Sequence, residues 1–210
     1  MENTLLQDII ECIMPFETVS DTMAFTGRRP KDLCGYEASA YCQFVSDLTE
    51  ILYIFYLKGV RRFLSGGAQG MDQLAFWAVH RLKAVRGCTD VKNILYLPFK
   101  GQELRWAKSG CFSQKEYRQM EELADEIYVV SNTSNVRAMF ERNHALADNC
   151  GILLGLYPDD TWHTSKGGTA ECLRYAVSCR KKRPIDIFQM KYDVKASGLQ
   201  VTGIVHISCF

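Results

Sequence analysis

Short apolar runs alternate along this chain with longer stretches in which apolar residues recur every three or four positions. The runs "TMAFTG" (22–27), "VRRFLSGG" (60–67), "NILYLPF" (93–99), "EIYVVS" (126–131), "GILLGLY" (151–157) and "PIDIFQM" (184–190) have strand length and end at glycine, proline or polar residues. Between them, helical spacing covers 37–58, 71–86, about 113–124, 136–148 and 169–182. Strands alternating with helices of ten or more residues predict βαβ units. The expected fold is α/β: a Rossmann-like, doubly wound, mainly parallel sheet with helices on both faces and right-handed crossovers.

The two ends depart from this rhythm. Leu5, Leu6, Ile9, Ile10, Ile13 and Met14 share one helical face before Pro15 stops the pattern. That N-terminal helix (1–20) either packs on its own domain or forms a dimer contact. Beyond the Rossmann-like domain (21–190), residues 191–210 alternate: Leu199, Val201, Val205 and Ile207 fall on one side, and "KASG" can turn a hairpin. A C-terminal β extension of the same domain is expected.

Composition narrows the function. The 210 residues are 47% hydrophobic and 23% charged, with a formal net charge of +1. No general basic field invites nucleic acid or a membrane, so any anion site must be built locally. The nine cysteines form no CxxC pair, and no Cys/His cluster has zinc spacing, so neither a metal nor a cofactor is expected. Scattered cysteines in an odd number fit a reducing cytoplasm. No apolar stretch reaches membrane-spanning length, and Asp8 and Glu11 interrupt the N-terminal one.

Three glycine-bearing loops follow predicted strands: "FTGRRP" (25–30), "SGGAQGMD" (65–72) and "SKGGTAE" (165–171). In open α/β sheets ligands bind beyond the carboxyl ends of the strands. Glycine there lets an anion reach backbone N–H groups, and a helix N-terminus attracts phosphate. Each loop has a plainer reading as a tight turn or helix lead-in. Together they nominate Thr26, Gly27, Arg28, Ser65, Gly66, Gly67, Gly70, Asp72, Lys166, Gly167, Gly168 and Thr169 as ligand-binding. Asp72 either accepts from a ribose hydroxyl or caps its helix. Tyr157, Trp162 and Trp106 are candidates to stack on a base, with a core or surface role as the alternative. The cations of "CRKKRP" (179–184) read as partners of a helix C-terminus rather than a nucleic-acid patch.

"TGRRP", "SGGAQGMD" and "ERNHALADNCGILLGLY" running into "KGGTAE" resemble the YpsA-like branch of the SLOG superfamily. These are Rossmann-like proteins related to the DNA-processing protein A domain and to the Lonely Guy phosphoribohydrolases. The resemblance covers roughly residues 22 to 190 and implies a site for nucleotides or nucleotide-derived molecules. Members of the superfamily cleave the N-glycosidic bond of nucleoside 5′-monophosphates, sense ADP-ribose-like signals in phage defence, or bind single-stranded DNA.

By the same resemblance, Arg142 matches the enzymes' phosphate-gripping arginine and Glu171 their catalytic glutamate. On its own, Arg142 could instead pair with Glu141 or Asp148. Glu171 stands two residues after Thr169 where the enzyme motif has three, and Cys172 occupies the matching place. One residue of slip turns a helical side chain by about 100°. The expectation is therefore a cytoplasmic sensor, regulator or sequestering protein, homo-oligomeric, for a nucleotide-derived small molecule. Phosphoribohydrolase activity is the alternative, and single-stranded DNA binding the least favoured.

Overall fold

A computed structural model describes residues 2–17, 20–180 and 182–207, with side chains from residue 7 onward. Seven strands form one sheet in the order β4–β3–β2–β1–β5–β6–β7: β1 (Thr22–Gly27), β2 (Arg62–Ser65), β3 (Lys92–Leu97), β4 (Glu126–Val129), β5 (Ile152–Leu156), β6 (Asp186–Lys195) and β7 (Gly198–His206). The neighbouring pairs from β4 to β6 are parallel, and β7 runs antiparallel to β6. Among the described residues there are six α-helices: α1 (Glu2–Ile13), α2 (Cys42–Leu57), α3 (Met71–Arg86), α4 (Gln114–Leu123), α5 (Val136–Asp148) and α6 (Gly168–Cys179). The expected Rossmann-like class is the observed one.

Strand alternation sorts the core. Met23 and Phe25 of β1 join Phe63, Ile152, Leu154 and residues of α1, α2 and α3 on one face. Ala24 joins Leu64, Ile94, Leu153 and Ile187 beneath α5 and α6 on the other. A smaller cluster packs Leu95 and Leu97 against Tyr117 and Met120 of α4. The chain steps outward from β1 to β4, then α5 carries it back to β5 on the other side of β1. That reversal leaves a crevice at the carboxyl ends of β1 and β5.

Ile9 and Ile13 are buried and Ile10 packs against the first cluster, so α1 covers its own domain. Met14 is exposed. The Leu5 and Leu6 side chains, Lys181 and Cys209 lie outside the described residues. The predicted helix over 37–58 opens with a 3-10 turn, Ala38–Tyr41, before α2 begins. The predicted helix over 169–182 stops at Cys179.

The predicted hairpin is present, with one correction. Lys191 pairs with Gly203 but Tyr192 with Val201, so Thr202 is an extra residue on β7. A bulge of this kind flips the alternation. Leu199 and Val201 face the core as expected, but beyond the bulge Ile204 is buried and Val205 is exposed. Arg183 donates to the Ala147 carbonyl at the end of α5 and to the Cys150 carbonyl just beyond it, so it serves the C-terminus of α5 rather than that of α6, the helix it follows. No helix among the described residues is long and apolar enough to cross a membrane.

The edge strand β4 is fastened electrostatically. Glu126 accepts from Lys92 at 2.6 Å, from the Tyr128 hydroxyl at 2.8 Å and from Arg62 at 3.3 Å. These contacts, the Lys92 hydrogen bond foremost and then that of Tyr128, pull its pKa down to about 2. An unfolded glutamate titrates near ~4.3. The stabilisation is therefore present above ~4.3 and is lost as pH falls toward 2. Urea midpoints of the wild type should fall across that window, and Glu126→Gln should start lower at neutral pH and fall less steeply.

Candidate functional site

The crevice opens into a cavity of about 410 Å³. Its floor is the end of β1 with the loop behind it, Thr26 to Asp32, and the start of α3. Gly70, at φ +92°, lets α3 begin so close to that loop that a Cβ there would lie 2.3 Å from the Arg28 carbonyl oxygen. The Met71 N–H donates to this same carbonyl at 3.2 Å.

Beneath the floor runs a buried ion pair. Arg142 of α5 reaches across to Asp72 in the first turn of α3, Nη1 to Oδ2 at 2.7 Å, and both side chains are at least nine-tenths buried. Asp72 Oδ2 also accepts from the Ala68 N–H at 3.3 Å, which braces the glycine loop. Arg142 fits only because residue 66 lacks a side chain: a Cβ on Gly66 would fall 1.2 Å from Nη1. Breaking a buried pair strands the remaining charge at a cost of about 3–5 kcal/mol.

Positive charge dominates the lining. Arg28, Arg29, Lys31, Arg142 and Lys166 stand against only Asp32 and Asp72. Burial lowers the Arg29 pKa, with Asp72 opposing the shift and Arg142 adding to it. Arg28 lies over the Tyr157 ring at 5.0 Å, with Asp32 at 3.5 Å. Arg142 is thus neutralised by Asp72, while Arg29, Lys31 and Lys166 have no salt-bridge partner among the described residues.

The back wall is the N-terminus of α6. Its cap, Gly167 at φ +121°, has no side chain to satisfy the first-turn N–H groups, and Lys166 to Thr169 line the cavity. Thr169 Oγ1 donates to the Gly27 carbonyl at 2.7 Å, and Asn143 Nδ2 to the Gly168 carbonyl at 3.2 Å. The outer wall is apolar: Val136, Met139 and Phe140 of α5, each at least a third exposed. The arrangement can hold a compact anion joined to a flat apolar group.

The structure brings together Thr26, Gly27, Arg28, Asp72, Arg142, Lys166, Gly167, Gly168 and Thr169 around this cavity. Ser65, Gly66, Gly67 and Gly70 sit behind it and do not line it. Of the alternatives for Arg142, the partner is Asp72 and neither Glu141 nor Asp148. Glu171 also stands outside the lining. Its Oε1 meets His144 Nε2 at 2.5 Å, and the His144 ring stacks on Tyr175. Cys172, at the place of the enzymes' glutamate, is fully buried, and desolvation pushes its thiol up to about 12.

The aromatic candidates pack elsewhere. Trp162 is buried and donates to Gln189, Tyr157 is buried under Arg28, and Trp106 stands edge-on to Tyr117. Sequence reasoning missed Arg29, Lys31 and the α5 wall. The signal was present: α5 carries Val136 and Phe140 away from the face that buries Ala138, Arg142 and Leu146. A larger depression, about 560 Å³ on the outside of α4, is lined mostly by one helix's long polar side chains and has no such walls.

A family model described as the YspA SLOG family (YpsA) matches residues 23–193. This chain belongs to the YpsA family of SLOG proteins. The YpsA match takes in the six parallel strands and every cavity-lining element, and leaves out α1 and β7. The uncharacterized SPbeta prophage-derived protein YoqJ of Bacillus subtilis (strain 168) is 33% identical over 127 residues, 55% of this chain and 68% of YoqJ.

Removing either half of the arrangement under the floor should show in stability. Arg142→Met and Gly66→Ala should each lower the unfolding free energy by about 3–5 kcal/mol in urea titrations. The double variant should lose little more than one of them, because both break the same contact.

Proposed function

We propose that this YpsA-family chain binds a nucleotide or nucleotide-derived small molecule and acts as a sensor, regulator or sequestering protein. The observation that carries this reading is the pairing of an excess of cations with an apolar wall in one small cavity. The phosphate sits at the α6 N-terminus among Lys166, Arg28 and Arg29, the base lies on Phe140 and Met139, and Asp72 accepts from the sugar. The magnitudes suit it. One helix end contributes about 0.3–1 kcal/mol, against roughly −8 kcal/mol for micromolar affinity. Two or three charge-assisted hydrogen bonds at ~1.5–3 kcal/mol each, with a stacked base, close the gap.

A volume of 410 Å³ falls within the ~300–1,000 Å³ of small-molecule sites, and the excess charge is confined to it in a chain of net charge +1. Both features favour a compact ligand over a nucleic-acid polymer. Glu171, held by His144 outside the lining, supports binding over N-glycosidic hydrolysis. The free cysteines suit a cytoplasmic setting. The prophage origin of YoqJ suits a role where phage and host meet.

Calorimetric titration with AMP and ADP-ribose is the test. Binding to at least one is expected, and Arg28→Ala, Lys166→Ala and Phe140→Ala should each weaken it about tenfold or more, at ~1.4 kcal/mol per decade. Glu171→Gln should leave it unchanged. No heat with either ligand, or release of free base from AMP on chromatography, would count against the proposal.

A further inference from the structure

Exposed apolar residues scattered singly are ordinary on a protein surface, whereas a cluster marks an interaction site. Among the described residues fourteen large apolar side chains are exposed, and six of them lie in one stretch: Ile127, Tyr128, Val129, Val136, Met139 and Phe140. Of these, Tyr128 of the edge strand β4 shares the α5 side with Val136, Met139 and Phe140, whereas Ile127 and Val129 alternate to the α4 side with Leu95 and Leu97, their partners on β3.

Topology explains why this side is left open. On the α5 face, α6 reaches no further than β1, and the strands from β2 to β4 are left to α5. Strands lie ~4.8 Å apart and a helix is ~10–12 Å across, so α5, packed on β1 and β3, leaves the edge strand β4 uncovered. Tyr96 and Tyr128, paired across β3 and β4 with ring centroids 5.0 Å apart, mark the bare strip.

The outer surface of α5 has a self-complementary pattern. An open hollow of about 500 Å³ is lined by Val136, Arg137, Phe140, Glu141 and His144. Arg137 and Glu141 form an exposed pair at 2.8 Å on either side of Phe140 in sequence. When two α5 helices pack antiparallel about a two-fold axis near Phe140, each Arg137 meets the partner's Glu141 and the apolar residues meet between them. An isologous contact requires one patch to complement itself in this way.

We propose that this face binds a second copy of the chain through α5, forming a symmetric dimer. Val136 and Phe140 line both the hollow and the ligand cavity. The second subunit therefore forms the cavity's outer lip, and its arrival and the ligand's reinforce each other.

Sedimentation equilibrium of the full chain tests this without any ligand. The wild type should show twice the mass of one chain. Phe140→Asp, Arg137→Glu and Glu141→Arg should each halve it, and Arg137→Glu combined with Glu141→Arg should restore it. Val85→Asp, on the exposed side of α3, should leave the dimer intact. Circular dichroism melts identify any variant that fails to fold. A wild type of single-chain mass, or an oligomer indifferent to Phe140→Asp, overturns the proposal. Because the readout is mass alone, failure here leaves the ligand titration standing, and the reverse holds too.

Discussion

The ion pair between Asp72 and Arg142 decides how the cavity is built. Two charges taken out of water are tolerated only when they meet closely and their surroundings leave them room. Meeting that condition fixes several things together: the start of α3 against the β1 loop, the angle of α5 over the sheet, and a residue without a side chain at position 66. The pair also spends one arginine's charge internally. The cations left over are those of the β1 loop and the α6 lead-in, and they give the cavity its sign.

The glycine-rich segment after β2 shows how a phosphate-loop look can arise from packing. Gly66 makes way for a guanidinium, and Gly70 for a carbonyl of the neighbouring loop. Neither lines the cavity. The segment reaches the lining through Ala68 and Gln69, across from Gly167 and Gly168 of the α6 lead-in.

Much of the architecture could be read from residue order because it rests on local rules. Helices α3 and α5 match the sequence reading at both ends: Gly70 and Gly87 bracket the first, and Asn135 caps the second by accepting from Ala138. What could not be read depends on partners distant in sequence. Asp72 and Arg142 are 70 residues apart, and nothing in either neighbourhood names the other. Glu171 looks catalytic in its motif until α5 brings His144 to it. The extra residue in β7 leaves no mark on composition, so Val205 kept its place in the expected alternation while the strand itself stepped past it.

The side chain of Thr169 is tied to the carbonyl of Gly27, and the backbone of Met71 to that of Arg28. Three loops from three different crossovers are thereby locked to one another before anything occupies the space between them. Their ordering entropy has already been met in folding, so an arriving molecule gives up little beyond its own freedom. For the ligand proposed above, such a mould would discriminate by shape at first encounter, and residence time rather than capture rate would be the property that sequence changes around its rim tune.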